Sequence, residues 1–291
     1  MPSRRYPTAD LAPIHGPTPC VTVALVPEVR QGPFVFHGGL ASCLACARAF
    51  GFRAVEIFPP SAAALDEEPL RRTLKRHGLT LAAVGTGAGY VLHGLHLLAS
   101  NRRQRAAAVG FIREIIDRAG GLGAPAIIGS MQGSIPPGVR RETAQDQLAE
   151  TLAELAQRAA GHGTTLLVEA LNRYESNCVN TLAAGAALIR KTGAANLRLL
   201  ADCFHMNIEE ASVTDAIRSA GSCIGHVHFA DSNRRAAGWG HLDFAAIAAA
   251  LRDINYQGCL SAEVLPLPSS AAAAKQTLAA FAEHFPLGTL Q

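Results

Sequence analysis

Short runs of β-branched and aliphatic residues alternate along the chain with longer Ala-, Leu- and Arg-rich segments whose apolar positions recur at helical spacing. The runs at 22–26, 54–58, 81–85, 126–129, 165–169, 197–202, 225–229 and 259–264 predict strands. Behind each lies a helical segment, at about 39–50, 63–77, 101–120, 140–161, 181–192, 213–220, 243–254 and 270–284. The strands are almost unbroken apolar runs, as parallel strands covered on both faces must be, and eight consecutive βα units close a barrel. Glycines at 51, 78, 121, 161, 193, 221 and 258 stand where the chain leaves a helix or approaches a strand, positions that favour positive φ. The predicted class is α/β, a single (β/α)8 barrel of the TIM type. It fills 19–291, behind a flexible leader at 1–18 that holds four prolines and no periodicity.

The 291 residues carry 26 Lys+Arg against 23 Asp+Glu, a net charge of +3, which excludes a surface built to seek polyanions. No apolar run approaches the roughly 18 residues of a membrane-spanning helix. Seven scattered cysteines, an odd number, argue against a disulfide framework and for a reducing cytoplasm. Cys43 and Cys46 fall in an Ala-rich helical stretch and read as buried packing rather than a redox pair. GTGAGY at 85–90 lacks the spacing of a dinucleotide-binding fingerprint, so it reads as a loop.

In such a barrel the active site lies at the carboxyl ends of the strands, so polar residues that end otherwise apolar strands carry the functional information. The last four strands end in LLVE (Glu169), LLAD (Asp202), GHVH (His228) and LSAE (Glu263). Three carboxylates converging on one point repel each other unless a cation lies between them, so the expected cofactor is one divalent metal ion. Three carboxylates and one imidazole suit Mn²⁺, Mg²⁺ or Co²⁺ better than a thiolate-seeking Zn²⁺, which affinity order alone does not exclude, and Mn²⁺ is the expected ion. His226, two residues before His228, points to the same side one layer deeper and reads as a supporting histidine. Glu175 and His205 lie on loops over the same mouth, and Arg234 and Arg235 follow strand seven in a glycine-rich loop, which is also where barrels often hold phosphate.

The segments EALNRYE, ADCFHMNIEE, GHVHFADSNRR and the SAE strand resemble the motifs of the ketose 3-epimerases. That group, the D-tagatose and D-psicose 3-epimerases, belongs to the xylose-isomerase-like barrel superfamily. The resemblance covers 165–264 closely and the earlier strands in architecture only. It implies that Glu169, Asp202, His228 and Glu263 are the metal ligands and that Glu169 and Glu263 are the paired catalytic acid and base. It further implies that Glu175, His205 and Arg234 contact a small-molecule sugar. The implied reaction is C3 epimerisation of a free ketose through a metal-stabilised enediolate, with protons moved on opposite faces. The loops after the early strands offer GTGAGY, GSMQGS and a long VPEVRQGPFVFHGG, so the expectation is a site without the family's aromatic wall on that side.

Other enzymes on this scaffold remain open: aldose-ketose or hydroxypyruvate-type isomerases, and keto-inositol isomerases or dehydratases. An apurinic endonuclease would need further histidines from the early strands and a basic groove, and His93 and His96 lie in a loop instead. A non-catalytic binding barrel is the remaining class. The expected partner is the sugar alone, without nucleic acid or membrane, with a homo-oligomer left open.

Overall fold

The computed structural model describes residues 16–286. Eight parallel strands carry the architecture: β1 (Thr18–Ala24), β2 (Ala54–Phe58), β3 (Thr80–Gly85), β4 (Ala126–Ile128), β5 (Leu166–Glu169), β6 (Leu197–Asp202), β7 (Ile224–His228) and β8 (Cys259–Ala262). Each is followed by an outer helix: α1 (Leu40–Phe50), α2 (Glu67–His77), α3 (Arg102–Gly121), α4 (Arg141–Gly161), α5 (Leu182–Thr192), α6 (Val213–Ala220), α7 (Phe244–Asp253) and α8 (Ser270–His284). Strands pair with their sequence neighbours, and β8 closes on β1 with Thr18 opposite Cys259 and Cys20 opposite Ser261. Closure leaves the barrel strands no open edge.

The helices form where the periodicity placed them because each presents one apolar stripe to the barrel. On α3 the stripe is Ile112, Ile115, Ile116 and Ala119, and the helix starts at Asn101, whose side chain accepts hydrogen bonds from the Arg103 and Gln104 amides. The predicted boundaries need adjustment at several ends. β1 runs over Thr18–Ala24 rather than 22–26, so residue 18 of the expected leader is already strand, and 1–15 lie outside the described residues. α2 begins at Glu67, after a single 3-10 turn at Ala62–Ala64. α3 and α4 continue through Gly121 and Gly161, and the positive-φ turn falls two residues later, on Gly123 and Gly163.

Two further short helices, Ala88–His93 and Cys203–Glu209, lie in the loops after β3 and β6, so GTGAGY is a loop only in its first half. All seven cysteines are free; Cys43 is buried, but Cys46 stands on the exposed face of α1, against the expectation of packing for both. Among the described residues no helix is long and apolar enough to cross a membrane.

Inside the barrel, side chains alternate inward and outward with period two. One layer below the mouth, Ala83, Ile127, Leu167 and Leu200 from β3 to β6 form a small apolar plug separate from the main core. The opposite half of this interior is polar: buried Glu56 on β2 meets His226 on β7. The floor of the mouth is therefore apolar on one side and charged on the other.

Candidate active site

β5, β6 and β7 each end on a polar residue that the alternation turns inward, and Glu263 follows immediately after β8, which stops at Ala262 rather than 264. Asp202 and His228 are register partners across the β6–β7 pair. Glu169, Asp202, His228 and Glu263 each place one donor atom within 4.8 Å of the others, so the structure brings the four together. From His228 Nδ1 the distances are 3.4 Å to Asp202 Oδ2, 3.5 Å to Glu263 Oε2 and 3.6 Å to Glu169 Oε1. These are long for hydrogen bonds but match the spacing of donors around one ion, since bonds of about 2.1 Å set neighbouring ligands roughly 3.0–3.5 Å apart.

Three buried polar atoms of the residues lining this site lack any hydrogen-bond partner, Glu169 Oε1, His205 Nε2 and Arg234 Nε. A buried carboxylate oxygen without a partner is costly, and a divalent cation among these oxygens would relieve it. The donor set thus fits an oxygen-preferring divalent ion.

The electrostatics carry the same signature. Burial pushes the Glu263 carboxyl up to about 7; His228 and Arg234 pull it back only in part, and Glu169 and Asp202 add repulsion. Asp202 goes the other way, down to about 2, because His205 and His228 outweigh the effect of burial. Its Oδ1 caps the helix Cys203–Glu209 through the Phe204 amide at 2.8 Å, which leaves Oδ2 for the cluster. His228 is raised well above the usual imidazole range, since Glu56, Glu263 and the carboxylates bonded to it overcome burial.

The three loop residues expected at the site are also there. Arg234 donates to Glu175 Oε1 at 3.1 Å and to Glu263 Oε2 at 2.9 Å, and its guanidinium lies 4.9 Å from the centre of the Phe204 ring. It does so from a left-handed backbone conformation, φ 59°, at the tip of a tight loop. Buried Asp231 builds that loop by accepting the amides of Ser232, Gly238, Gly240 and Leu242. Arg235 is exposed, and Arg173 pairs with Glu209, which leaves Glu175 for Arg234. His205 Nδ1 accepts from the Asn172 backbone and side-chain amides, so the ring proton lies on Nε2, which faces Glu169 Oε1 at 3.6 Å.

A cavity of about 290 Å³ opens over this cluster, with Glu169, Glu175, His205, Arg234 and Glu263 on one wall. The other wall corrects an expectation: Phe34, Phe58 and Tyr90 line it, with the Phe34 and Phe58 rings 4.7 Å apart. An aromatic wall is therefore present, supplied by the first loop, the end of β2 and the helix after β3. Phe34 and Phe58 were missed because a residue at a strand end or in a loop declares no direction in the sequence. Glu56 was missed too, although a lone acid inside the apolar run AVEIF is a readable signal.

Room for the Glu169 carboxylate comes from Gly129. A Cβ there would overlap Glu169 Oε2. Gly129→Ala is expected to displace that carboxylate and weaken Mn²⁺ binding roughly 10- to 100-fold in isothermal titration calorimetry, with far-UV circular dichroism unchanged. Equal affinity in a folded variant would show that the close approach has no bearing on the cluster.

Fold and site together define a parallel (β/α)8 barrel whose carboxyl-terminal mouth holds an oxygen-rich donor cluster able to bind one divalent ion. The chain belongs to the xylose isomerase-like TIM barrel family, which it matches over residues 44–284. It is 45% identical to the D-psicose 3-epimerase of Agrobacterium fabrum over 114 residues, 39% of this chain and 39% of that protein. The 2-oxo-tetronate isomerase of Cupriavidus necator is 32% identical over 232 residues, 78% of this chain and 88% of that protein. A solved L-ribulose 3-epimerase superposes with a TM-score of 0.76 at 28% identity, covering 92% of this chain and 94% of that one. The matched segment spans about two fifths of the length of the D-psicose 3-epimerase.

Proposed function

We propose that this protein is a metal-dependent isomerase that inverts C3 of a free ketose. Its metal ligands are Glu169, Asp202, His228 and Glu263, with Mn²⁺ the first choice and Mg²⁺, Co²⁺ and Zn²⁺ the others. The observation that carries the reading is that two acids, Glu169 and Glu263, line one cavity from strands three places apart around the barrel. A divalent ion held by the four ligands supplies Lewis-acid stabilisation for the negative charge that develops when a proton leaves the carbon beside a carbonyl.

The chain's own groups do the rest. Glu169 takes the C3 proton on one face as the C–H electron pair moves toward the C2 carbonyl oxygen. Glu263 delivers to C3, from the opposite face, a proton it has taken up from solvent, the carbonyl is restored, and Glu169 releases the abstracted proton to solvent before the next turnover. Arg234 holds Glu263 in place and, with Glu175, presents hydrogen-bonding groups to the substrate hydroxyls. His205 Nε2–H donates to a substrate oxygen, which supplies the partner this buried atom lacks. Phe34 and Phe58 pack against the distal carbons.

An unphosphorylated substrate is supported by the loop after β7. The Gly238 and Gly240 amides that could cradle a phosphate already donate to Asp231, and Arg234 is engaged by two glutamates. The free state of all seven cysteines supports a reducing cytoplasm as the site of action.

A 1,2-isomerisation of a short oxo acid is the second reading, favoured by the longer match to the 2-oxo-tetronate isomerase. The test is incubation of the Mn²⁺-loaded protein in D₂O with a panel of ketoses, 2-oxo acids and inososes, followed by NMR. Deuterium at C3 of a ketose together with its 3-epimer is the expected result. Label confined to the carbons of a 1,2-shift, or turnover of an oxo acid alone, would replace the epimerase reading with the second.

A further inference from the structure

His228 offers the mouth cluster only one of its two ring nitrogens. Nδ1 faces Glu169, Asp202 and Glu263, while Nε2 points down the barrel to Glu56 Oε2 at 3.2 Å. The same carboxylate oxygen lies 2.8 Å from His226 Nε2. All three residues are buried, and Glu56 reaches the two histidines across the interior from β2, three places around the closed barrel from β7. We propose that Glu56 is a positioning residue for the cation site, accepting a hydrogen bond from His228 Nε2 so that the Nδ1 lone pair is aimed at the three carboxylates.

A neutral imidazole has one proton and one lone pair, so whatever fixes the proton on one nitrogen commits the other to a ligand role. A carboxylate on the far nitrogen also fixes the ring orientation and makes the ligand more basic. His226 completes the arrangement from one layer deeper. Its ring stands 84° to that of His228 with centroids 5.6 Å apart, so it reaches Glu56 from a separate direction and tethers the carboxylate without competing for the cluster. The apolar plug of Ala83, Ile127, Leu167 and Leu200 lines the other half of this layer, leaving Glu56 no alternative there.

Glu56, His226 and His228 also form a compact trio of donor atoms, which raises the alternative of a second ion. The distances of 2.8 and 3.2 Å are those of hydrogen bonds, and a second ion would require His228 to give up its remaining N–H and bridge two metals as an anion. One ion per chain is the expected stoichiometry.

The inference rests on the reading of the mouth cluster as a cation site, and the experiment separates the two. Titration calorimetry with Mn²⁺ and with Zn²⁺ is run on the full chain and on Glu56→Gln and Glu56→Leu. Two-bond ¹⁵N–¹H NMR is run on the Zn²⁺-loaded wild-type protein labelled at histidine. The expected results are one ion per chain, affinity reduced roughly 10- to 100-fold in Glu56→Gln and further in Glu56→Leu, and a His228 protonated at Nε2 and metal-bound at Nδ1. Wild-type affinity in a folded Glu56→Gln, two ions per chain, or an unprotonated His228 Nε2 would each overturn the proposal. The NMR result on the wild type stands even if the variants fail to fold. A wild-type chain that takes up neither ion overturns the cation site itself.

Discussion

Glu169→Gln is expected to lose hydrogen exchange at C3 of a ketose substrate by about 10²–10⁴-fold, the range over which a positioned acid or base acts, and Glu263→Gln is expected to do the same for the opposite face. The measurement is deuterium incorporation from D₂O into each C3 epimer, with bound metal quantified in the same samples. Both substitutions keep the side-chain volume and one oxygen, so part of the metal affinity survives and the two effects can be told apart. Retention of deuterium exchange within a few-fold of wild type would remove that glutamate from the proton transfer. Starting from each epimer separately also assigns the faces, because each variant then loses exchange preferentially from the epimer whose proton it takes.

Metal uptake is expected to depend steeply on pH, and here the sign follows from the crowded donors. Glu263 titrates at about 7 instead of near 4.5 in the metal-free protein, and His228 is raised above its ordinary 6.5. Both must shed protons to become ligands, so affinity for Mn²⁺ rises with pH, by between one and two decades per pH unit, and flattens only once both groups are deprotonated. The stability of the metal-free chain runs the other way. A group whose folded pKa lies above its unfolded value stabilises the native state at low pH, and that contribution is lost as pH climbs through the folded pKa. For Glu263 the window runs from 4.5 to about 7, and the loss is at most about 3 kcal/mol. Thermal unfolding should therefore show a larger gain from Mn²⁺ at pH 8 than at pH 5.5, and removing the metal at pH 8 should abolish turnover. An affinity independent of pH between 5.5 and 7.5 would contradict the proposed ligand set.

The barrel was legible because its signals are local. A strand covered on both faces is a run of apolar residues, a helix against it has a stripe, and the end of each strand can be read by eye in LLVE, LLAD and GHVH. Period two then says that Glu169, Asp202 and His228 face inward, and the registers bear this out: Asp202 lies opposite His228, and Glu169 lies opposite Leu200, which also faces the barrel interior. The boundaries that slipped did so where propensity is weak. Helices run through Gly121 and Gly161 because the tertiary contacts of α3 and α4 outweigh the modest cost of glycine in a last turn.

The amino-acid sequence alone determined the eight-fold repeat, the mouth at which chemistry takes place, and the residue types that meet there, since each depends on neighbours within one βα unit. The tertiary structure alone decided which nitrogen of His228 faces the cluster, that Glu56 stands behind it from 172 residues away, and that Phe34 and Phe58 close the far wall. It also decided that Gly129 makes room for the Glu169 carboxylate. The physical reason is the closure of the sheet. Bringing β2 across from β7, and folding the first loop over the mouth, creates contacts whose partners share no local pattern, and side-chain direction at a strand end exists only once the barrel is closed.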